Sequence, residues 1–524
     1  MDSLRTLSQD LTRLHQRLTG LLASLASPGG NLSTYVPDLD VVTQRLTATF
    51  GPSPDLIVRR FSVASGTFGL IGYLDHLVDV TIIDRDILRP LMQGTRTVDA
   101  LPVGQATASK DWDTLIAAIT QGNTVVCLRD VPTAWVIDTA QIPHRSLDRA
   151  ETELAVRGPQ EGFAEVLALQ LSQVRHRLQS PTLTFEQLTV GSRYPVGIAI
   201  AYLQDVVNPA LVAAVRERVQ RIHAETVVNG TMVASYLRDR PGSLMPTVRN
   251  TERVDLIVWH LLNGKVAILV DGDPNVLSVP ATLCDFYRTS DDYATAWYNT
   301  TFVRFIRWLG WGFGVYLPAL YIALTEVNPD LVPPPLVILT AGSHTGLPFT
   351  PIVEVLVMIL LIEILREAAL RLPKMLSTTI GTIGAIVVGT AVVKAGFVSP
   401  QIIVVMTLTA LSFFSGPSYE LTGTWRIVGW IMLVAAFIYG VYGIVLATVG
   451  LSIKLVTETS FGVPYLTPLA PFRPVDGDDL MWRSPWTRFA HRHTTSRSTD
   501  NMWNPGPAQP PSNPHLRRGQ IKHR

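Results

Sequence analysis

Hydrophobic positions divide this chain into two unlike halves. Residues 1–300 mix charges with short apolar runs, as a soluble chain does, whereas residues 305–456 contain several long apolar windows. The pattern predicts a soluble α/β N-terminal half, made of two similar subdomains, followed by an α-helical multi-span membrane domain. The predicted segments are an amphipathic helical arm and linker (1–45), two soluble α/β subdomains (46–150 and 151–300), a membrane domain (301–460) and a basic, mostly disordered cytosolic tail (461–524).

A leucine stripe near the start predicts the amphipathic arm. Its members alternate steps of three and four residues, which places them on one helical face, and Ser3 can cap the helix. The stripe consists of Leu4, Leu7, Leu11, Leu14, Leu18, Leu21 and Leu25. Three heptads are a short seam, so the pattern favours packing on its own domain or a neighbouring subunit over an independent coiled coil.

The soluble half contains a diverged duplication. A buried-strand pattern with a polar entry into a helix occurs twice, at 69–79 and 198–208, and each copy is followed by a hairpin pattern. The hairpin strands are 123–128 with 134–137 in the first copy and 265–270 with 276–279 in the second. Gly122 and Gly264 precede the hairpins at equivalent points, so we expect two subdomains of similar design.

The apolar half predicts four full membrane spans and one shorter segment. The full spans are about 305–324, 351–373, 380–397 and 427–451, whereas 401–414 is shorter than the roughly 20 residues needed to cross a bilayer. Arg304 and Arg307 precede the first span, and the loop 326–348 has no Lys or Arg, which places the soluble half in the cytosol.

The tail from residue 471 holds nine Lys or Arg against four Asp. A re-entrant or half-membrane segment at 401–414 would return it to the cytosol, although this leaves Arg426 near the outer face.

Charges within the second predicted span are the main functional candidates. Glu354, Glu363, Arg366, Glu367 and Arg371 are costly in hydrocarbon, so this helix is expected to face a partner, a polar cavity or an ion path. Glu363 and Glu367 share a face, and Glu367 to Arg371 is a favourable i,i+4 pair. A structural salt-bridge cluster and a gating role explain this group equally well, whereas Glu354 is expected at the outer interface, where an acidic ring attracts cations.

The third predicted span supplies two further candidates. Gly381, Gly384 and Gly389 permit close helix packing. Lys394, near the end of that span, either reaches the membrane interface or pairs with a glutamate of the second span.

Composition predicts no enzyme. The net charge is +1, with 47% hydrophobic residues, and Cys127 and Cys284 have no companion at metal-ligand spacing. His491 and His493 are expected to be solvated rather than metal ligands. No nucleophile-elbow motif occurs, and we expect no catalytic residues, cofactor, metal or nucleic-acid partner.

Several ordered strings resemble the GerA family of bacterial spore germinant receptor A subunits over about residues 50–485. They include Arg157-Gly158-Pro159, Asp291-Asp292-Tyr293, Leu317–Leu324, Glu363–Ala368, Ala395–Pro400 and Ser460-Phe461-Gly462-Val463-Pro464-Tyr465-Leu466. The outer loop departs from the family, with Ser343-His344-Thr345-Gly346 in place of an Arg-Glu-Gly-like string. Without the resemblance, the Arg157-Gly158-Pro159 turn favours a linker over an anion-binding turn, because it lacks the Lys-Ser/Thr of a P-loop.

The resemblance implies a multi-pass nutrient receptor of the spore inner membrane, with its soluble half and tail on the cytosolic side. It implies a transporter-like B subunit and a lipoprotein C subunit as partners, and a homo-oligomer of this chain that conducts cations when nutrient binds. A non-conducting scaffold or signalling subunit, organising the receptor or the spore ion-release machinery, is the alternative. A secondary transporter would need more spans or an inverted repeat.

Overall fold

The computed structural model describes residues 34–63, 66–93, 98, 101–141, 149–150, 153, 155–371, 394–489, 491–500 and 502. Most of the predicted arm lies outside these residues, as do Gly381, Gly384 and Gly389. The chain divides into two compact units, one formed by residues 1–144 and 178–184 and the other by residues 145–177 and 185–524.

The first unit is built on a five-stranded antiparallel sheet with the order β1-β2-β4-β5-β3. Its strands are β1 (Leu56–Ser62), β2 (Phe68–Leu74), β3 (Ala106–Ser109), β4 (Thr124–Leu128) and β5 (Ala134–Ile137). Its helices are α1 (Leu39–Phe50), α2 (Val80–Ile82), α3 (Arg89–Gln93) and α4 (Trp112–Thr120), with a π-helical turn at Ile83–Leu88 between α2 and α3. Asp38 and Asp111 cap α1 and α4 through their carboxylates, as expected for aspartate at a helix start.

The second unit contains a sheet of the same design, with the order β6-β7-β9-β10-β8. Its strands are β6 (Leu183–Val190), β7 (Val196–Leu203), β8 (Arg249–Thr251), β9 (Val266–Val270) and β10 (Val276–Val279). The helices that accompany it are α5 (Leu167–Arg177), α6 (Pro209–Gln220), α7 (Gly230–Leu237) and α8 (Val254–Leu262). The two strand orders are identical, and both predicted hairpins are present, so the predicted α/β half with two similar subdomains is confirmed. Gly122 and Gly264 follow α4 and α8 with φ of 91° and 76°, a backbone conformation that favours glycine.

The remaining helices of the second unit form a bundle. They are α9 (Leu283–Tyr287), α10 (Asp291–Ala294), α11 (Trp297–Ile322), α12 (Pro334–His344), α13 (Pro351–Arg371), α14 (Pro400–Phe414) and α15 (Tyr419–Thr457), and a π-helical turn extends α11 to Val327. Within the described residues, two helical stretches are long and apolar enough to cross a membrane, at Trp297–Val327 and Tyr419–Thr457.

The helix α15 is broken at Gly440, where φ is 61° and ψ is −139°. The first segment of α15 runs beside α11. Near its start, the Thr424 hydroxyl donates to Leu244 O of the α/β part, and immediately after the break the Val441 N–H donates to Asn328 Oδ1. After the break it returns, and Thr459 donates to Asp239 Oδ2. The continuous span predicted at 427–451 is therefore two antiparallel helical segments joined at Gly440.

The two ends of the bundle are thus defined by their neighbours. The near end contacts the second sheet's subdomain, and the far end contains Asn328 and Gly440. The helix α14 begins near Glu354 at the far end and finishes where Ser415 approaches Gly310 near the other end. Unlike the predicted re-entrant segment, α14 does not turn back, and the broken α15 instead brings the tail to the near end.

Residues 461–500 of the predicted disordered tail, and the two residues before them, are folded against the second subdomain where they are described. Short 3₁₀ turns at Pro474–Asp478, Trp486–Arg488 and Thr494–Ser496 alternate with ordered turns. Ser460 Oγ donates to Thr247 O, and Thr499 N–H donates to Val206 O. The difference from the expectation arises because polar tail residues bond both to the subdomain, as Thr499 does, and to one another, as Thr494 does to Asp476.

Candidate functional site

Glu354 is fully buried at the far end of the bundle instead of lying at an open interface. Its Oε2 accepts the Ser399 N–H at 2.7 Å, and its Oε1 lies 3.0 Å from His344 Nδ1. The other ring nitrogen of His344 lies 3.2 Å from the Tyr321 hydroxyl. The Glu354 carboxylate therefore links the start of α14 to the end of α12 and, through His344, to α11. In the described chain it is buried and is not exposed as the predicted acidic ring requires.

Glu363 occupies the centre of an ion cluster near the other end of α13. Both Glu363 oxygens lie 3.2 Å from Arg366 Nη1, and Oε1 accepts from Arg426 Nε at 3.0 Å. Arg426 belongs to α15 and also donates Nη2 to Glu363 Oε2. The guanidinium of Arg366 lies 5.9 Å from the Phe414 ring. We call Glu363, Arg366 and Arg426 the α13–α15 cluster.

This cluster accounts for Arg426, which the sequence placed near the outer face. Arg426 lies in the part of α15 that follows Thr424, whose hydroxyl contacts the α/β subdomain, so it lies toward the near end. A narrow cavity of about 40 Å³ borders the cluster, with apolar walls from α11, α13, α14 and α15. Because these walls are apolar, water only weakly screens the attraction between the shared Glu363 carboxylate and the two guanidinium groups.

The remaining predicted charges lie toward the end of α13 and at the end of the third predicted span. Glu367 and Lys394 are exposed, whereas the side chain of Arg371 lies outside the described residues. The expected pairs from Glu367 to Arg371 and from Lys394 to a glutamate stay predictions.

Close packing in the described bundle is provided by glycines that the sequence analysis missed. A Cβ on Gly310 would lie 2.6 Å from Ser415 Oγ, and one on Gly314 would lie 2.9 Å from the Phe413 ring. A larger residue at either position would have to displace the Ser415 or the Phe413 side chain. The signal was available as the Gly310-x-x-x-Gly314 spacing, which is typical of helix contacts in membranes.

A second polar centre, also missed, lies where the near end of the bundle meets the second subdomain. Arg304 of α11 is 1% exposed and binds two carboxylates, Asp292 Oδ2 at 2.9 Å and Asp479 Oδ1 at 2.7 Å. Arg307 binds the same Asp292 at 2.9 Å. Asp479 comes from the tail, so three separated parts of the chain meet around these groups.

The same centre continues into the subdomain. Arg288 lies 3.3 Å from Asp479 and 3.1 Å from Asp285, and Lys265 Nζ lies 2.7 Å from Asp285. We call these seven residues, Lys265, Asp285, Arg288, Asp292, Arg304, Arg307 and Asp479, the junction network.

Electrostatics keep Asp479 and Asp285 of this network ionised. Burial alone would raise the pKa of Asp479, but Arg304 and Arg288 outweigh it and hold that pKa well below its ordinary value. Lys265 and Arg288 do the same for Asp285, whose pKa also lies below its usual range. Burial lowers the pKa of Lys265 by more than the nearby Asp285 carboxylate raises it, so the pKa of Lys265 lies below its ordinary value. A network of this kind is held firmly only while every member keeps its partner.

The family-motif residues bind this junction to the α/β part. The N–H groups of Val156 and Arg157 donate to Asp291, both at 3.1 Å, and Pro159 O accepts from Arg253 at 2.6 Å. Gly158 has a φ of 89°, which suits the tight turn. The anion at this turn is thus a carboxylate of the chain itself.

The second motif is equally structural. The N–H groups of Phe461 and Gly462 donate to Asp239 at 3.2 Å, and Arg218 lies 4.1 Å from the Phe461 ring. Pro464 pairs with Thr459 in a two-stranded turn.

The histidines and cysteines have different surroundings from one another. His493 is buried, with Nε2 lying 3.3 Å from Asp479, in contrast to the expected solvated tail. Burial raises the pKa of both Cys127 and Cys284 to about 12, so both thiols are poor nucleophiles. Among the residues that the structure describes, no cluster of three His, Cys, Asp or Glu side chains fits a metal ion.

Comparisons with known proteins point to one family. The family model described as Bacillus/Clostridium GerA spore germination protein matches residues 44–495. Spore germination protein GerLA of Bacillus cereus is 32% identical over 490 residues, which are 91% of this chain and 99% of the relative. Spore germination protein KA of Bacillus subtilis strain 168 is 30% identical over 483 residues, 90% of this chain and 88% of the relative.

A solved structure, the N-terminal domain of the A subunit of the Bacillus megaterium spore germinant receptor GerK3, matches 48% of this chain and 98% of its own. The identity is 21% and the TM-score 0.38.

Proposed function

This chain belongs to the Bacillus and Clostridium family of GerA spore germination proteins, and we propose that it is the A subunit of a spore germinant receptor. In this proposal it lies in the inner membrane of the dormant spore and works with a transporter-like B subunit and a lipoprotein C subunit. The proposal is supported by relatives that are spore germination proteins and by two helical stretches long enough to cross a membrane.

Within that receptor, an oligomer of this chain forms a nutrient-gated cation channel that starts germination. The observation that carries the proposal is the α13–α15 cluster, in which Glu363 is shared by Arg366 of its own helix and Arg426 of another. Intramembrane charges are costly and mark ion pathways or moving elements in membrane proteins. The Gly310–Gly314 face gives α11 a smooth contact along which α14 can shift.

Gating then consists of a change in how α13 and α15 meet. The closed state keeps the shared carboxylate in place, and nutrient binding on a partner subunit favours an arrangement in which the cluster is rearranged. Both helices line the same narrow cavity as α14, so a shift of the cluster changes the width of the passage that the oligomer encloses.

The test replaces Glu363 by Gln, which keeps its size and removes its charge, and Arg426 by Gln. Each variant should change nutrient-triggered cation release from spores by about tenfold while the amount of the subunit in the membrane changes less than twofold. The charge-reversed pair E363R with R426E should recover part of the wild-type response. Glu217→Gln, at an exposed pair with Arg221 on α6, is the control and should leave release unchanged.

Equal loss of abundance and cation release in E363Q and R426Q would assign the cluster to folding alone and contradict its role in gating.

The second candidate is a non-conducting scaffold or signalling subunit that organises the receptor or the ion-release machinery. The junction network favours it, because the tail and α11 are fastened to the second subdomain by buried ion pairs. Reconstitution of the purified oligomer in liposomes separates the two candidates. A scaffold passes no cations in any variant, whereas a channel whose closed state depends on Glu363 leaks cations in E363Q.

A further inference from the structure

A polar cavity of about 260 Å³ lies beside the junction network, between the second subdomain and the near end of the bundle. Three arginines line it: Arg249 and Arg253 from the subdomain and Arg307 from α11. The turn 415–417, which joins α14 to α15, closes the opposite side. The cavity therefore adjoins elements of both the α/β part and the helices.

Arg249 is the group whose bonding is incomplete. It is 1% exposed, its guanidinium lies 5.4 Å from the Phe286 ring, and its Nη2 donates to Glu153 Oε1 at 2.7 Å. Its Nε and Nη1 are buried, and neither has a hydrogen-bond partner among the described residues. A buried charged donor without an acceptor is unfavourable, so this wall of the cavity attracts an acceptor.

The carboxylates at the cavity are already engaged. Asp291 accepts the N–H groups of Val156 and Arg157, and Glu153 accepts from Arg249 and from the Thr251 hydroxyl. Arg253, by contrast, is fully bonded to the chain, to Asp255, Ser290 and two carbonyls. Arg249 thus keeps two buried donors without a partner among the described residues, and the lining holds three arginines against two carboxylates.

We propose that this cavity binds a compact oxyanion of the phosphate class. Guanidinium groups match the geometry of phosphate oxygens and bind them through charge-assisted hydrogen bonds. The space exceeds that of several waters and is smaller than most pockets for drug-sized ligands, which suits one phosphate group with water. The anion comes either from solution or from the headgroup of a phospholipid at the near end of the bundle.

Because its walls come from the subdomain, α11 and the α14–α15 turn, a bound anion fastens these parts together. Binding is therefore expected to stabilise the full chain. This inference does not depend on whether the chain conducts cations, so its failure and that of the proposed channel are distinguishable.

The test uses the purified full chain in a detergent free of phospholipid. Inorganic phosphate should raise the melting temperature at constant ionic strength, whereas chloride should not. Arg249→Met should weaken the phosphate effect by at least about tenfold, the range of a charged hydrogen bond. Arg221→Met, at an exposed arginine away from the cavity, is the matched control and should retain the full effect.

A second variant guards against misfolding of R249M. Ala155→Phe fills the cavity from its wall and removes no charge, so it should abolish the phosphate effect while the melting temperature without phosphate stays near that of the wild type. In nanodiscs, a headgroup source predicts that phosphatidylglycerol raises the melting temperature and cancels the effect of added phosphate. A solution source predicts that added phosphate acts equally in neutral and anionic nanodiscs. Equal melting temperatures with phosphate and chloride in all these conditions would overturn the proposal.

Discussion

Asp479 shows how much a single tail carboxylate holds together. The carboxylate accepts from Arg304 and from the Tyr293 hydroxyl and lies 3.3 Å from Arg288 Nε, at the meeting point of tail, helix and subdomain. Removing one partner of a buried ion pair leaves the others uncompensated, at a cost of about 3–5 kcal/mol. Asp479→Asn should therefore lower the stability of the full chain by about that amount in thermal or denaturant unfolding.

Asp205→Asn, at an exposed aspartate of the same subdomain, is the comparison and should change stability by less than about 0.5 kcal/mol. A wild-type-like unfolding midpoint for D479N would show that the network is dispensable for folding.

His260 makes the stability of the second subdomain depend on pH. Burial, and then the charge of Lys265, hold its pKa well below the ordinary value, so it is neutral when folded. The unfolded chain binds a proton near pH 6.5 and the folded chain does not. Stability is therefore fully present above about pH 6.5 and falls as the pH drops below it, by about 2 kcal/mol between pH 7 and 5.

His260→Gln should remove that part of the dependence. The measurement is the unfolding midpoint of both proteins at pH 5, 6 and 7. Parallel curves for the two proteins would mean that other groups account for the pH dependence.

At the scale of the element, Gly440 divides α15 into two segments. Its φ of 61° disfavours any side chain, and a Cβ would overlap Asn328 Oδ1. Gly440→Ala should therefore destabilise the full chain by more than about 2 kcal/mol, combining backbone strain with the displaced Asn328 contact. The readout is the melting temperature in detergent.

Gly450 supplies the matched control, since it lies in the same helix with open space around its Cβ position. Gly450→Ala should be neutral or slightly stabilising because alanine favours helix. If both variants melt alike, the break is not a feature of the folded protein.

Sequence predicted the hairpins of the two sheets well and the broken helix poorly, for physical reasons. The strands β4, β5, β9 and β10 are short apolar runs bounded by turn residues, so local signals fix them. The residues around Gly440 are apolar on both sides, and glycine is common in membrane helices, so nothing local marks the break. What requires it is Asn328, more than a hundred residues away in the chain.

The whole molecule repeats this contrast between local and distant signals. The duplicated strand order was visible as a repeated pattern, because each copy buries the same alternation of residues. The tail was read from its Pro, Ser and Arg content as disordered, yet Asp479 and His493 are buried through contacts with residues near 263–304. Composition measures what a segment can bury by itself, whereas order here comes from partners elsewhere.

The path of the chain through the bundle determines which residues lie on each side of a membrane. Leu331 and Tyr442 lie near the far end and Phe472 follows the return to the near end, and all three side chains are at least 64% exposed. The native Cys127 and Cys284 are buried, which keeps background labelling low.

Single cysteines at these three positions, in cells with an intact membrane, therefore test the proposed topology. An impermeant maleimide added outside should label Leu331→Cys and Tyr442→Cys, while Phe472→Cys should react only after the cells are opened. Because Arg426 lies toward the near end, a single continuous span at 427–451 starting there would place residue 472 on the outside instead, and labelling of F472C in intact cells would reject the hairpin at Gly440. If Y442C is labelled and F472C is protected, residue 442 lies outside and residue 472 lies inside, so the chain crosses back between them. An unbroken helix that ends on the outside cannot give this result.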